Sequence, residues 1–357
     1  MSHPARRMPL VDCLKALASQ LIVLHHIAFY GPMSDVAYPL ASGSIDWLYE
    51  YARMAVQVFL VIAGFLAARS LAPTATPVSI KPIQLIWTRY CRLALPFLIA
   101  ITLSIACAAT ARLWMTHASI PDAPAFWQVF SHATLLHGLL GQESLSAGAW
   151  YVAIDFQLFI LFVAMLWLAG KTRASTRTAM ALITVLALAS LFYFNRQDSW
   201  DSWGLYFFGA YALGVAAHWY AQRQHSPIWF ALLLGLVLYA LALEFRPRIA
   251  IALCTALILG VSARYQLMEK WPDFRLTAWL GKISYSLFLI HFPVFMLVNT
   301  LVFRLAPNSP SLNLVGMILA WLLSIAAGDL FYRLVESRMN PPRHPQTRVL
   351  TERAEAS

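Results

Sequence analysis

Residues 12–31 read DCLKALASQLIVLHHIAFYG, the first stretch of the chain long and apolar enough to cross a bilayer. It nevertheless carries Asp12, Lys15 and the pair His25–His26. Ionisable groups inside a span are expensive to bury and by default mark a functional site. Lys15 and His26 are eleven residues apart, which at about 100° per residue is roughly three helical turns. Both side chains therefore lie on nearly one stripe, separated by a rise of about 16 Å, close to half the hydrocarbon thickness. One helix face thus offers a cation toward one membrane surface and a titratable imidazole toward the other. A helix serving only as an anchor has no use for such a stripe.

The composition around this stretch predicts an all-α polytopic membrane protein. Of the 357 residues 60% are hydrophobic and only 12% charged, against about 25% charged in an ordinary soluble domain. Apolar runs recur near 12–31, 54–73, 92–111, 150–169, 178–194, 203–221, 228–243, 248–263, 279–303 and 311–332. With ten crossings, 20 of the 26 Lys and Arg fall on one side and 6 on the other. The positive-inside rule then predicts ten transmembrane helices with both termini cytoplasmic. The net charge of +10 is spread over short loops on alternate sides of these runs, unlike the single basic patch of a nucleic-acid binder. No cleavable signal peptide is expected, since the first run follows Arg6 and Arg7 and lacks a small-residue cleavage site. Cys13, Cys91, Cys107 and Cys254 lie in or beside apolar runs with no metal-like spacing and read as small core residues.

Residues 1–336 are expected to form one transmembrane domain, and 337–357 a polar, Pro-rich cytoplasmic tail. The longest outer connection, about 113–149, holds the amphipathic stretch PAFWQVFSHATLLHGLL. It is too broken to span and is expected to lie interfacially or re-enter over the outer mouth.

Several patches, in order, carry a resemblance. Asp12-Cys-Leu-Lys15 followed by His26 resembles the opening of the type 3 membrane acyltransferase family, where Arg or Lys, ten residues and His occupy the first span. Val58–Leu66 resembles its VFFVISGFL segment, and Arg89-Tyr-Cys-Arg92 before Pro96 its Arg-x-x-Arg segment. Trp150–Phe159 is similar to WSLSVEEQFY, Leu280–Pro293 to LGRISYSLYLWHWP, and Arg333–Glu336 to the closing RLVE. The resemblance implies transfer of an acyl group, usually acetyl or succinyl, from acetyl-CoA or another cytoplasmic acyl-CoA. The implied acceptor is an extracytoplasmic glycan or glycolipid, and the implied setting a bacterial plasma (inner) membrane. Three departures stand out. Lys15 replaces the commoner Arg and loses its bidentate fork. Asp155 and Phe156 replace an acidic pair. No counterpart of the soluble esterase-like domain of some relatives is expected.

The candidate residues follow from their chemistry. His26 can accept a proton near neutral pH, as the base activating a hydroxyl must; otherwise it is an interhelical hydrogen-bonding group. His25, rotated about 100° away, reads as structural. Lys15 either holds a donor phosphate or the thioester oxygen, or pairs with Asp12. Arg89 and Arg92 suit the phosphates of the coenzyme, or are ordinary positive-inside flanking charges. Asp155, expected near the outer end of the fourth span, either orients His26, binds acceptor, or closes a helix start. His291 reads as interhelical glue or pore lining, Ser284 and Tyr285 as glue. His132, His137 and Trp150 are candidates for the acceptor, with belt anchoring the other role for the tryptophans. No spacing suits a metal. A proton-coupled transporter or flippase would also use ionisable residues in its spans, but the repeated halves of such proteins are not found.

Overall fold

A computed structural model describes residues 7–76, 81–222 and 227–339 of the chain. The predicted tail from 340 onward lies outside them. Among the described residues the structure is helical, without strands, and twelve helices of eight residues or more follow one another. They are α1 (Pro9–Phe29), α2 (Met33–Glu50), α3 (Val56–Leu71), α4 (Pro82–Arg112), α5 (Phe126–Ala133) and α6 (Ala149–Gly170). Then come α7 (Ser175–Phe192), α8 (Gly204–Ala221), α9 (Pro227–Leu243), α10 (Pro247–Arg264), α11 (Arg275–Leu305) and α12 (Pro310–Phe331).

Each expected apolar run lies in or largely within one of these helices. Among the described residues eight helical stretches are long and apolar enough to cross a membrane. The two expected spans outside that set have local reasons: α9 has only 17 residues, and α8 is diluted by Tyr206, Tyr211, His218 and Tyr220. Neighbours bury α8 almost all round, so it faces protein rather than lipid and tolerates those polar rings. Its contact with α3 is intimate because Gly64 abuts the Tyr211 carbonyl and Gly214 the Val61 carbonyl, where no Cβ would fit. Helix α2 is unexpected. Pro39, Gly43 and a break at Ala41 disguise it in the sequence.

Helices α1 and α11 run side by side in the same direction, in a steady register. Arg7 pairs with Asp273, Gly281 packs on the backbone of Asp12, His26 bonds His291, and Asn299 Nδ2 donates to the Gly31 carbonyl. The long connection between α4 and α6 is the second feature that positions the site. Tyr90 OH donates to the Ala133 carbonyl at 2.7 Å, and Ser104 Oγ to that of Leu145 at 2.6 Å. Tyr90 precedes Arg112, the last residue of α4, by about 33 Å of helix rise. Of its two expected dispositions the connection therefore takes the re-entrant one, folding back deep along α4 while Asp122 and Glu143 reach a cavity that His26 also lines. Helix α6 consequently begins well inside the bundle.

Candidate active site

His26 and His291 form the centre. Nδ1 of His26 lies 2.7 Å from Nε2 of His291. On its far side His291 Nδ1 lies 2.8 Å from the Phe288 carbonyl, which can only accept. The His26 ring also lines a cavity of about 590 Å³ together with His25, Tyr30, Arg53, Asp122, Glu143 and Trp150. The aromatic walls and a few convergent charged groups give this cavity the character of a small-molecule site. His25, assigned a structural role from the sequence, does both jobs. Its Nδ1 donates to the Leu48 carbonyl at 3.0 Å, tying α2 to α1, and its ring reaches the cavity wall.

His291 is fully buried behind His26 and absent from the cavity wall, so of its two expected roles it takes the interhelical one, and a place among the acceptor's contacts is corrected to a contact with the other imidazole. Asp155 is corrected too. It does not orient His26 but accepts from Arg89, Nη2 to Oδ2 at 2.5 Å. The descent of the 113–148 connection explains this, since it starts α6 beside Ala100 and Ile101, deep enough for Asp155, six residues on, to meet Arg89. The guanidinium lies 5.3 Å from the Phe159 ring centre, and its Nε is buried without a partner. Arg89 is thus engaged within the bundle rather than presented to a coenzyme phosphate.

Lys15 stands in a separate charged group toward the start of α1. Its electrostatic neighbours are Asp12, Glu336 and Arg92. Asp12 also pairs with Arg7 at 3.2 Å. Glu336 is brought inward by the π-helical turn Tyr332–Glu336, where it accepts from Ser286 Oγ at 2.5 Å. Tyr285 OH donates to the Leu93 carbonyl at 2.9 Å, and Ser284 bonds its own helix. Tyr285 serves as the interhelical glue expected of it, whereas the Ser284 bond to the Gly281 carbonyl stays within α11 and joins no second helix.

His132 and His137 do not face the cavity. Their rings stack 4.1 Å apart at 8°, against Phe97, and both are buried. His132 is a staple within the connection: Nδ1 donates to the Gln128 carbonyl and Nε2 accepts from the Leu145 amide. Both nitrogens of His137 lack partners. Burial lowers the affinity of His132 for a proton, and burial together with that neighbour pushes His137 down to about 3. Both rings stay neutral at ordinary pH. Of the expected acceptor group only Trp150 lines the cavity. Arg53, Asp122 and Glu143 went unnoticed in the sequence because each is a lone charge in a connection, where charge is the norm. Among the described residues no three His, Cys, Asp or Glu side chains converge as a metal-ligand set.

A helical, multi-pass membrane protein with an imidazole on a cavity wall is the architecture of an intramembrane enzyme or of a transporter. Comparison with known proteins makes the class specific. The chain belongs to the type 3 acyltransferase family: residues 9–333 match the family model, described as an acyltransferase domain. It is therefore an acyltransferase, and the transporter alternative gives way. It is also 24% identical to a Caenorhabditis elegans protein named Regulator of hypoxia-inducible factor 1, over 94% of this chain and 80% of that one. No solved structure matches it significantly.

Proposed function

We propose that the protein is an O-acyltransferase of the bacterial plasma (inner) membrane. It moves an acyl group, acetyl in the simplest case, from cytoplasmic acyl-CoA to a hydroxyl of an extracytoplasmic glycan or glycoconjugate. The observation that carries this reading is His26 on the wall of the 590 Å³ cavity, with Trp150 and Tyr30 as aromatic walls and Asp122, Glu143 and Arg53 as polar contacts. Flat aromatic faces with carboxylates beside them suit a sugar ring, which presents apolar C–H faces and a rim of hydroxyls.

In the reaction, His26 Nε2 takes the proton of the acceptor hydroxyl as its oxygen attacks the thioester carbonyl. The C–S bond then breaks, the thiolate leaves, and the proton on His26 returns to it as the coenzyme thiol. Lys15 and Arg92 are the cations for the coenzyme phosphates, about 16 Å of helix rise from His26 in the case of Lys15. Arg89, tied to Asp155, holds the α4–α6 contact around them. Both termini lie in the cytoplasm under this reading, which puts the cavity on the outer side.

His26→Ala, expressed and inserted to the level of the parent, should abolish acetylation of envelope glycans supplied with labelled acetyl-CoA, read by mass spectrometry. Unchanged acetylation would remove His26 from the chemistry.

A further inference from the structure

We infer that His291 is a positioning residue that locks His26 in the Nδ1–H tautomer, leaving the Nε2 lone pair as the group presented to the cavity. The inference deepens the reading of His26 as a base, and rests on it for its catalytic meaning.

The argument starts from a carbonyl. The Phe288 oxygen, 2.8 Å from His291 Nδ1, has no hydrogen to give, so Nδ1 of His291 carries the proton. The Leu287 carbonyl, 3.2 Å from the same nitrogen, reinforces that assignment. In a neutral His291 the other nitrogen, Nε2, is then bare. It faces His26 Nδ1 at 2.7 Å, so the proton of that bond sits on His26. The rings are tilted by only 6°, with centres 4.9 Å apart. Parallel rings with nitrogens at 2.7 Å cannot lie face to face, as His132 and His137 do at 4.1 Å. The bond therefore runs in the plane of both rings, along the lone pair of His291.

One nitrogen of His26 is left. Nε2 has no protein partner among the described residues, and it is not among the polar atoms sealed from solvent, whereas both nitrogens of His137 are. Since His26 lines the cavity, Nε2 is the face that meets an acceptor. A free imidazole exchanges between tautomers, and in one of them Nε2 carries a hydrogen and cannot act as a base. The Phe288 carbonyl, through His291, removes that form. When Nε2 accepts the acceptor's proton, the positive charge is shared along the in-plane bond: the Nδ1 proton moves toward His291 Nε2 without leaving the pair. No carboxylate takes part, which fits the engagement of Asp155 with Arg89.

The test reads the tautomer itself. Protein labelled with ¹⁵N,¹³C-histidine is reconstituted in nanodiscs without any ligand, and the His26 signals are identified by their loss in His26→Gln. The expected result is one protonated Nδ1 in a strong hydrogen bond and one unprotonated Nε2. A protonated Nε2 in the parent protein overturns the inference outright. His291→Phe, which has no acceptor, should give a mixture of tautomers and lower kcat for glycan acetylation at least tenfold with KM little changed. His291→Gln keeps an acceptor oxygen at that position and should recover most of both. Equal loss in the two variants, with an undisturbed His26 tautomer, would also overturn it. If the tautomer is as stated but His26→Ala still transfers, the role of His26 as base falls while the tautomer assignment stands.

Discussion

Removal of the Asp155 carboxylate separates a structural clamp from a catalytic acid. The Arg89–Asp155 bond is 2.5 Å long, and the two side chains are 27% and 6% exposed. In Asp155→Leu the guanidinium stays in place with its Nε still unpartnered and only the Phe159 ring, 5.3 Å away, to offset its charge. Breaking one side of a buried pair costs about 3–5 kcal/mol; the partial exposure of Arg89 admits some water and argues for the lower end, near 3 kcal/mol. A cation over a ring returns about 1 kcal/mol at most in such a setting. The double variant Arg89→Met/Asp155→Leu removes both charges and should come back to within about 1 kcal/mol of the parent, as apolar replacements of buried pairs often do. The assay is reversible unfolding in bicelles by SDS titration, with acetyl transfer measured in parallel. If Asp155→Leu unfolds like the parent yet transfers nothing, the carboxylate serves substrate and the clamp is refuted. If the double variant regains stability but not transfer, Arg89 belongs to the donor site after all.

Three further outcomes follow from the geometry. Trp150→Ala should raise KM for the glycan roughly fivefold to tenfold by opening one cavity wall, with the KM for acetyl-CoA unchanged in steady-state kinetics. His137→Phe should stabilise the protein by about 1–2 kcal/mol, since it removes two buried unpartnered nitrogens, and it should flatten the pH dependence. The folded His137 binds its proton only near pH 3 while the unfolded one does so near 6.5, so acid favours the unfolded chain. That contribution is intact above pH 6.5 and is lost progressively below it, by about 1.4 kcal/mol per unit, and unfolding at pH 7.5 and 5.5 measures it. Gly281→Ala should cost about 1–3 kcal/mol and weaken transfer, because its Cβ meets the Asp12 backbone. Gly43→Ala, with nothing near its Cβ, is the neutral control in the same melts.

The membrane class, the ten apolar runs and a polar centre at His26 were legible because they rest on local quantities: run length, charge bias and a polar residue where none is tolerated. The family motifs added the chemistry. What the sequence hid is long-range. Nothing local shows that the 113–148 connection descends along α4, so Asp155 was expected near a surface and Arg89 near the opposite one, whereas the two meet. His291 offered a polar group in a span, but its pairing with His26 depends on the parallel register of α1 and α11. The histidines of the connection looked like surface ligands, because amphipathic periodicity reports an apolar face without saying whether lipid or protein covers the other. Helix α2 escaped notice for a simpler reason, its proline and glycine.

The two imidazoles that meet at 2.7 Å are 265 residues apart in the chain. During synthesis α1 enters the membrane early and waits, its imidazole unpartnered by His291, until α11 emerges and docks along it with Gly281 at the foot. On the proposed mechanism, a chain cut short anywhere before that point carries a base whose tautomer is not yet fixed.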